Sequence, residues 1–518
     1  MTLLSRLTGL AQTFFLSHVL GAGPAADAYF VAIRLPNLLR RFTAEGTMTA
    51  AFLPTLSEVE AHEGRAAAQA VAARFMGALL VILLLGVAAV LLLMGPLAGF
   101  LTLGRPHAQG ELTARLGRIM FPYLALVSLT AGYAGLLNLR HRFALAASVS
   151  VFWNLAFIAF GWTTLRVLGR SGTVPFDTVA VVCAFAVLAG GILQLLVILP
   201  AVRQEGFGLS LGLHLRDPLR DPWVFKILKR MGPGMLAAGI YPINALISAA
   251  IASRLPNGAQ TVLFNSGMMS EMVMGLFAMS LATAGLPTLS RQAEAQDWPA
   301  MNRSFMQSLS ASALLVLPAS VGLAVLARPI CALLFRTGAY TPADSDWTAV
   351  TVVFNCLGLV FVAGQRLGNQ ALYALKDYRG PAALAGGTLL LNVLLSLALM
   401  KPLGTGGLAL ANGLSSLAGM LLLTARLRPR LPGLDFRPLL NATARALAAS
   451  AIMGAAAWGG AKWLALDAPH AFPRMALSLR LLPLIALCGL FYGLCAAAFG
   501  HPEAVDLVEK LRRKLGRS

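Results

Sequence analysis

Apolar runs of about 20 residues recur along the whole chain, separated by short segments rich in glycine, proline and charge. A helix of about 20 residues crosses the ~30 Å hydrocarbon core of a bilayer, and these runs are too long for the strands of a membrane barrel. The pattern therefore predicts an all-α polytopic membrane protein with about 14 transmembrane helices. The predicted spans lie near residues 4–22, 28–57, 72–98, 116–138, 143–165, 177–200, 232–253, 262–286, 305–327, 347–373, 381–400, 406–425, 440–463 and 475–498.

Composition supports a membrane protein and excludes a large soluble domain. The chain has 518 residues, of which 58% are hydrophobic and 12% charged, and its mean hydropathy is +0.74. The net charge of +20 does not predict nucleic-acid binding, because the basic residues are not gathered into one soluble stretch. More than half of the Lys and Arg residues fall in the loops of one side, which predicts that both termini are cytoplasmic. The first apolar run lacks a basic n-region and contains Arg6, so we expect it to be retained as a helix.

The chain carries an internal duplication. The segment AFLPTLSE around Pro54 returns as AGLPTLSR around Pro287, and two further pairs of apolar segments keep the same offset. Each half has an even number of spans, so the repeats are parallel, as in transporters that hold substrate between their halves. The predicted domains are a six-helix lobe, a basic cytoplasmic linker, a second six-helix lobe, two additional helices and a basic tail: residues 1–200, 201–231, 232–430, 431–500 and 501–518.

The second predicted span is unusual because it contains five ionisable side chains, namely Asp27, Arg34, Arg40, Arg41 and Glu45. Three arginines facing lipid would oppose insertion by about 10 kcal/mol, so they must face protein or water. The alternative is that the arginines end a short helix at the membrane surface.

Spacing in this span predicts a shared face. Asp27, Arg34 and Arg41 repeat every seven residues, although Pro36 should kink the helix and turn Arg40 inward instead of Arg41. For Arg34 and Arg41, snorkelling or a structural ion pair stays open beside a contact with substrate.

No motif for metal binding, nucleotide binding or nucleophilic catalysis is evident, and no cofactor is expected. The five cysteines lie within or beside apolar runs, which indicates buried small side chains. Sodium or proton coupling through Asn244, Asn355 or Asn392 stays open, although interhelical hydrogen bonds are the simpler role for these residues.

Several segments resemble the MurJ (MviN) lipid II flippases of the multidrug/oligosaccharidyl-lipid/polysaccharide exporter superfamily. These segments are SRLTGLAQ, GAGPAADAYFVAIRLPNLLRRFTAEG, AFLPTLSE, KRMGPG, LPTLSR and LFRTGAYTPAD. The resemblance implies a bacterial inner-membrane protein with two six-helix lobes and two C-terminal helices. It further implies export of the undecaprenyl-diphosphate-linked peptidoglycan precursor, lipid II, to the periplasmic leaflet by alternating access. The partners that the resemblance implies are lipid II, membrane lipids and cell-wall synthesis proteins. The resemblance implies a transporter and no enzymatic activity.

The resemblance also implies site residues. Arg6 and Arg40 match the family's cavity arginines, with Ser5 beside Arg6, and a guanidinium fork suits the oxygens of a diphosphate. Asp27 and Glu45 match acidic residues near the two ends of the span and are assigned to gating or to ion pairs.

Two positions depart from the family pattern. Gln12 and Met268 stand where the family has arginines, whereas Glu271 and Arg366 are candidate contacts in the second lobe. These losses leave alternatives open, which are an exporter of another polyprenyl-linked glycan and a non-transporting scaffold for cell-wall synthesis. A drug exporter would need an acidic cavity, and an enzyme acting on polyprenyl diphosphates would need a carboxylate cluster; neither is evident.

Overall fold

A computed structural model describes residues 2–43, 47–207, 221–275, 279–377 and 379–506. Within these ranges the chain is helical and contains no strand, so the predicted all-α fold is confirmed. The α-helices are α1 (Thr2–Leu20), α2 (Pro24–Thr43), α3 (Thr47–Glu63), α4 (Arg65–Leu101), α5 (His107–Met120), α6 (Tyr123–Leu139), α7 (Phe143–Leu168), α8 (Phe176–Gln204), α9 (Pro222–Ala252), α10 (Ala259–Val273), α11 (Met279–Glu294), α12 (Trp298–Val325), α13 (Ala327–Leu334), α14 (Pro342–Cys356), α15 (Leu359–Ala374), α16 (Arg379–Leu427), α17 (Arg437–Trp463) and α18 (Arg474–Ala498).

The predicted spans coincide with helices or with consecutive pairs of helices. Among the described residues, eight spans are long and apolar enough to cross a membrane, and α14 with α15 forms a ninth that is bent by 46°. The spans predicted at 381–400 and 406–425 are joined in α16, where Gly404 alone departs from helical geometry with φ 57° and ψ −133°. The second predicted span is divided between α2 and α3, and α2 continues through Pro36.

The helices form two compact units. Unit 1 comprises Met1–Gln260 together with Thr337–Ala339, and unit 2 comprises Thr261–Arg336 with Tyr340–Ser518. In unit 1 the core lies between α3, α4 and α6, where Phe52 stacks on Phe75 with ring centroids 4.5 Å apart. In unit 2 the last two helices pack on α12, and the buried Tyr492 hydroxyl donates to the carbonyl oxygen of Leu314 at 2.8 Å.

Helix α9 belongs to unit 1 by its packing, although the sequence repeat assigns most of it to the second lobe. Polar contacts near its N-terminus explain this. Lys226 donates to Glu58 at 2.6 Å, Arg230 donates to the Thr55 hydroxyl at 2.8 Å, and Arg74 pairs with Asp221. The hydrogen bond from Lys226 holds the pKa of Glu58 below its usual value. The predicted domain boundaries remain predictions. They come from the repeat in the order of the helices, whereas the two compact units are defined by which helices pack together.

All five cysteines are free thiols, and all but Cys495 are buried, as the apolar pattern predicts.

Candidate substrate site

The predicted cationic residues Arg6 and Arg40 both belong to unit 1. Arg6 lies on α1 and Arg40 near the end of α2, and both side chains are partly buried. Ser5, which the resemblance places beside the substrate, has its hydroxyl oxygen 2.8 Å from that of Ser150 on α7. Ser5 therefore takes part in a helix contact.

Arg40 is held on the face of α2 that packs towards α6 and α8. It interacts with the phenol of Tyr123 on α6, which also interacts with Gln194 of α8. Tyr123 and Gln194 are each only 3% exposed. A cation at this depth is thus supported by buried polar groups, as intramembrane charges must be.

Asp27 and Arg34 share a different face of α2. Arg34 donates from Nη1 to the carbonyl oxygen of Ala245 on α9 at 3.2 Å, and Asp27 accepts from the backbone N–H of Gly258, just after α9, at 2.8 Å. The seven-residue spacing therefore brings both side chains towards α9 and the connection that follows it. The side chain of Arg41, the next residue in that series, lies outside the described residues. The whole of Glu45 also lies outside them.

Asp27 forms a buried ion pair with Arg105, which lies between α4 and α5. Arg105 Nη2 is 3.1 Å from Asp27 Oδ2, and the two side chains are 5% and 0% exposed. The same guanidinium donates to Asn257 Oδ1 at 2.5 Å and to the carbonyl oxygen of Pro256 at 2.9 Å. Burial lowers the pKa of Arg105, and the charge of Asp27 opposes that shift. This arrangement fastens α2, the α4–α5 connection and the α9–α10 connection together at one end of unit 1.

The candidate residues of the second lobe lie in unit 2. Glu271 is exposed on α10, and Arg366 is partly buried on α15. Met268 lies on α10 three residues before Glu271, and Gln12 on α1 of unit 1. Among the residues that the structure describes, no group of His, Cys, Asp and Glu could hold a metal ion.

The sequence did not predict Arg105, Tyr123 or Gln194 as parts of these contacts. A signal was present for Tyr123 and Gln194, because polar side chains inside apolar runs commonly make interhelical hydrogen bonds. Arg105 carried no such signal, because in the sequence it is one of many loop arginines and only the fold brings it into contact with Asp27.

Comparisons with known proteins place this arrangement in a family. The family model described as lipid II flippase MurJ matches residues 16–474. A probable lipid II flippase MurJ from Rhizobium meliloti is 34% identical over 519 residues, covering 96% of this chain and 92% of that protein. The lipid II flippase MurJ from Burkholderia cenocepacia is 32% identical over 436 residues, covering 83% and 82%.

Solved structures agree on the fold. A lipid II flippase MurJ in an inward closed conformation has a TM-score of 0.73 at 22% identity and covers 98% of both chains. An inward-facing multidrug resistance transporter of the MATE family, from the MOP superfamily, has a TM-score of 0.70 at 13% identity, covering 83% of this chain and 95% of its own. The chain therefore belongs to the MurJ family of lipid II flippases, which are membrane transporters.

Proposed function

We propose that the protein translocates lipid II from the cytoplasmic to the periplasmic leaflet of the bacterial inner membrane by alternating access. The observation that carries this proposal is the match of residues 16–474 to the lipid II flippase family, in a chain whose first two helices place Arg6 and Arg40 within an apolar unit. The chain has the helices of a multi-pass membrane protein, and its function is transport.

The chemistry of the cargo suits these residues. A lipid-linked diphosphate carries negative charge that must be stabilised away from water, and arginine offers several donors in a fixed planar fork. Arg40, supported by Tyr123, would bind phosphate oxygens together with Arg6, while the polyprenyl tail stays in the surrounding lipid. Ser5 and Arg41 are further candidate contacts, and Asp27, Arg34 and Glu45 serve gating or ion pairing. Glu271 and Arg366 stay candidate contacts, as the sequence predicts.

The test uses a strain depleted of its own lipid II flippase. We expect the wild-type chain to restore growth and outer-leaflet lipid II, and Arg6→Ala and Arg40→Ala each to lower export by about 100-fold, as for loss of a charge-assisted contact of about 3 kcal/mol. Arg170→Ala is the matched control, because Arg170 is exposed in the short helix between α7 and α8. Full export by both Arg6→Ala and Arg40→Ala, at normal protein levels, would contradict this placement of the headgroup.

A second cargo is favoured by Gln12 and Met268, which replace arginines of the family pattern. A chain with fewer cations could accept a polyprenyl-linked glycan other than lipid II. Competition binding with lipid II and with undecaprenyl diphosphate bearing other glycans decides between the two cargoes. Preference for lipid II supports the main proposal, and preference for another glycan supports the second cargo. If the protein were a scaffold without transport activity, a chain with both Arg6 and Arg40 replaced would still rescue growth. Contacts with cell-wall synthesis proteins remain a prediction.

Export needs no cofactor in this proposal. Moving a negative headgroup outward across a membrane potential that is negative inside releases about 2.3 kcal/mol per charge per 100 mV. We therefore expect collapse of the potential in proteoliposomes to reduce export strongly, and replacement of Na⁺ by K⁺ at constant potential to leave it unchanged. Export that follows Na⁺ or the pH gradient at zero potential would instead indicate ion coupling.

A further inference from the structure

Helices α1 and α7 of unit 1 are joined by a short ladder of polar side chains. Ser150 and Asn154 are four residues apart and so lie on one face of α7, opposite Ser5 and Thr8 on α1. The first rung joins the hydroxyl oxygens of Ser5 and Ser150, which are 2.8 Å apart.

Asn154 makes the second rung. Its Nδ2 atom donates to the hydroxyl oxygen of Thr8 at 2.9 Å and to the main-chain carbonyl oxygen of Ser5 at 3.4 Å. Asn154 is only 6% exposed, so these donors are shielded from water. Because one bond reaches the backbone of α1, the amide holds the helix itself as well as a side chain.

Aromatic packing continues the same contact further along the two helices. Phe15 of α1 meets Phe157 edge-to-face, with ring centroids 6.1 Å apart, and Trp162 at 6.4 Å. Aromatic rings tolerate small rotations, whereas hydrogen bonds are directional. The ladder is therefore the part of this contact that fixes the rotation of α1 about its own axis.

The rotation of α1 sets the direction of Arg6. Arg6 directly follows Ser5, so its side chain leaves the helix about 100° around the axis from the rung that Ser5 makes with α7. A turn of α1 that moved Arg6 would stretch the bonds from Asn154 and Ser150.

We infer that Asn154 and Ser150 are positioning residues that set the direction of Arg6 through α1. This inference rests on the proposed function in so far as Arg6 binds the headgroup, but the geometric part can be tested without any cargo. The residues do not touch substrate in this scheme.

The first experiment measures the accessibility of position 6. Arg6→Cys is introduced with Cys495→Ser, because Cys495 alone among the native cysteines is not buried. Its rate of reaction with a charged, membrane-impermeant methanethiosulfonate reagent is then compared with and without Asn154→Leu, which keeps the volume but removes the donor. We expect a change in rate of about threefold or more, since an interhelical hydrogen bond in a membrane is worth about one RT.

Matched controls separate rotation from general loosening. Ser148→Ala removes a hydroxyl that donates to the carbonyl oxygen of Leu145 within α7, and it should leave the rate at position 6 unchanged. Arg40→Cys reports on α2, and its rate should not respond to Asn154→Leu. An unchanged rate at position 6, or equal changes at positions 6 and 40, would overturn the inference.

The second experiment links position to transport. Asn154→Leu should lower lipid II export about threefold to tenfold at an unchanged thermal unfolding midpoint, and Asn154→Gln, which restores a donor, should recover part of it. If Asn154→Leu does not accumulate, Ser150→Ala and Thr8→Val remove single rungs and should show the same direction of change. If labelling at position 6 responds to Asn154→Leu but the wild-type chain does not export lipid II, the proposed cargo is wrong and the positioning role stands. If the wild-type chain exports lipid II normally but labelling at position 6 does not respond, the proposed function stands and the positioning role is wrong.

Discussion

At the scale of single residues, the charges in and around α2 are held by specific protein groups. Asp27 is fully buried and accepts from both Arg105 and the backbone of Gly258, while Arg40 interacts with the phenol of Tyr123. Breaking a buried ion pair by removing one partner costs about 3–5 kcal/mol, because the other charge is left uncompensated. Asp27 and Arg105 should therefore behave as a unit.

We predict strong coupling between Asp27 and Arg105 in a double-mutant cycle. Asp27→Asn and Arg105→Met should each lower the thermal unfolding midpoint in detergent, and the double variant should be less destabilised than the sum by about 1–3 kcal/mol. Asp27→Asn combined with Arg142→Met is the control, because Arg142 pairs with Glu205 elsewhere in unit 1 and those effects should add. Additive effects for Asp27 and Arg105 would show that the pair contributes no mutual stabilisation.

At the scale of elements, a three-residue segment that follows α13 packs on the end of α1. The backbone N–H of Ala339 donates to the carbonyl oxygen of His18 at 2.9 Å, and Nδ1 of His18 lies 2.7 Å from the Thr337 hydroxyl. Gly338 has φ +52°, and a Cβ atom there would overlap the carbonyl oxygen of His18. Glycine is thus required both for the backbone conformation and for the close approach.

We predict that Gly338→Ala destabilises unit 1 by more than the conformational cost alone. Gly433→Ala is the matched control, because Gly433 also has a positive φ, +77°, but a Cβ atom there would meet nothing within 4 Å. The control should cost about 1–2 kcal/mol, and Gly338→Ala should cost more, measured as unfolding midpoints in detergent. Equal shifts would mean that the approach of this segment to α1 contributes nothing.

At the scale of the whole molecule, the distribution of basic residues predicts which ends of the helices face the cytoplasm. The end of unit 1 that carries Arg65, Arg140 and Arg142 is rich in ion pairs, including Arg140 with Glu60 at 2.8 Å and Arg142 with Glu205 at 2.7 Å. The excess of Lys and Arg on this side favours a cytoplasmic location, with both termini inside.

We predict opposite labelling of two exposed alanines. In a Cys495→Ser background, Ala108→Cys at the start of α5 should react with an impermeant maleimide in intact spheroplasts, whereas Ala61→Cys near the end of α3 should react only after lysis. The reverse pattern would invert the proposed topology.

The sequence by itself determined the membrane class, the helical fold and the positions of the spans, because an apolar run must hydrogen-bond its own backbone wherever it lies in the membrane. Motifs in the sequence likewise identified the family and the ionisable residues of α2. Seven-residue spacing was sufficient to put Asp27 and Arg34 on one face.

Only the tertiary structure decided what those residues contact. Arg105 approaches Asp27 across 78 positions of sequence, Tyr123 of α6 reaches Arg40 of α2, and Asn154 reaches the backbone of α1 from α7. The packing of α9 into unit 1 was also decided there. Such contacts depend on which helices pack together and at what rotation, and helical periodicity sets the face that a residue occupies but not the neighbour that the face meets.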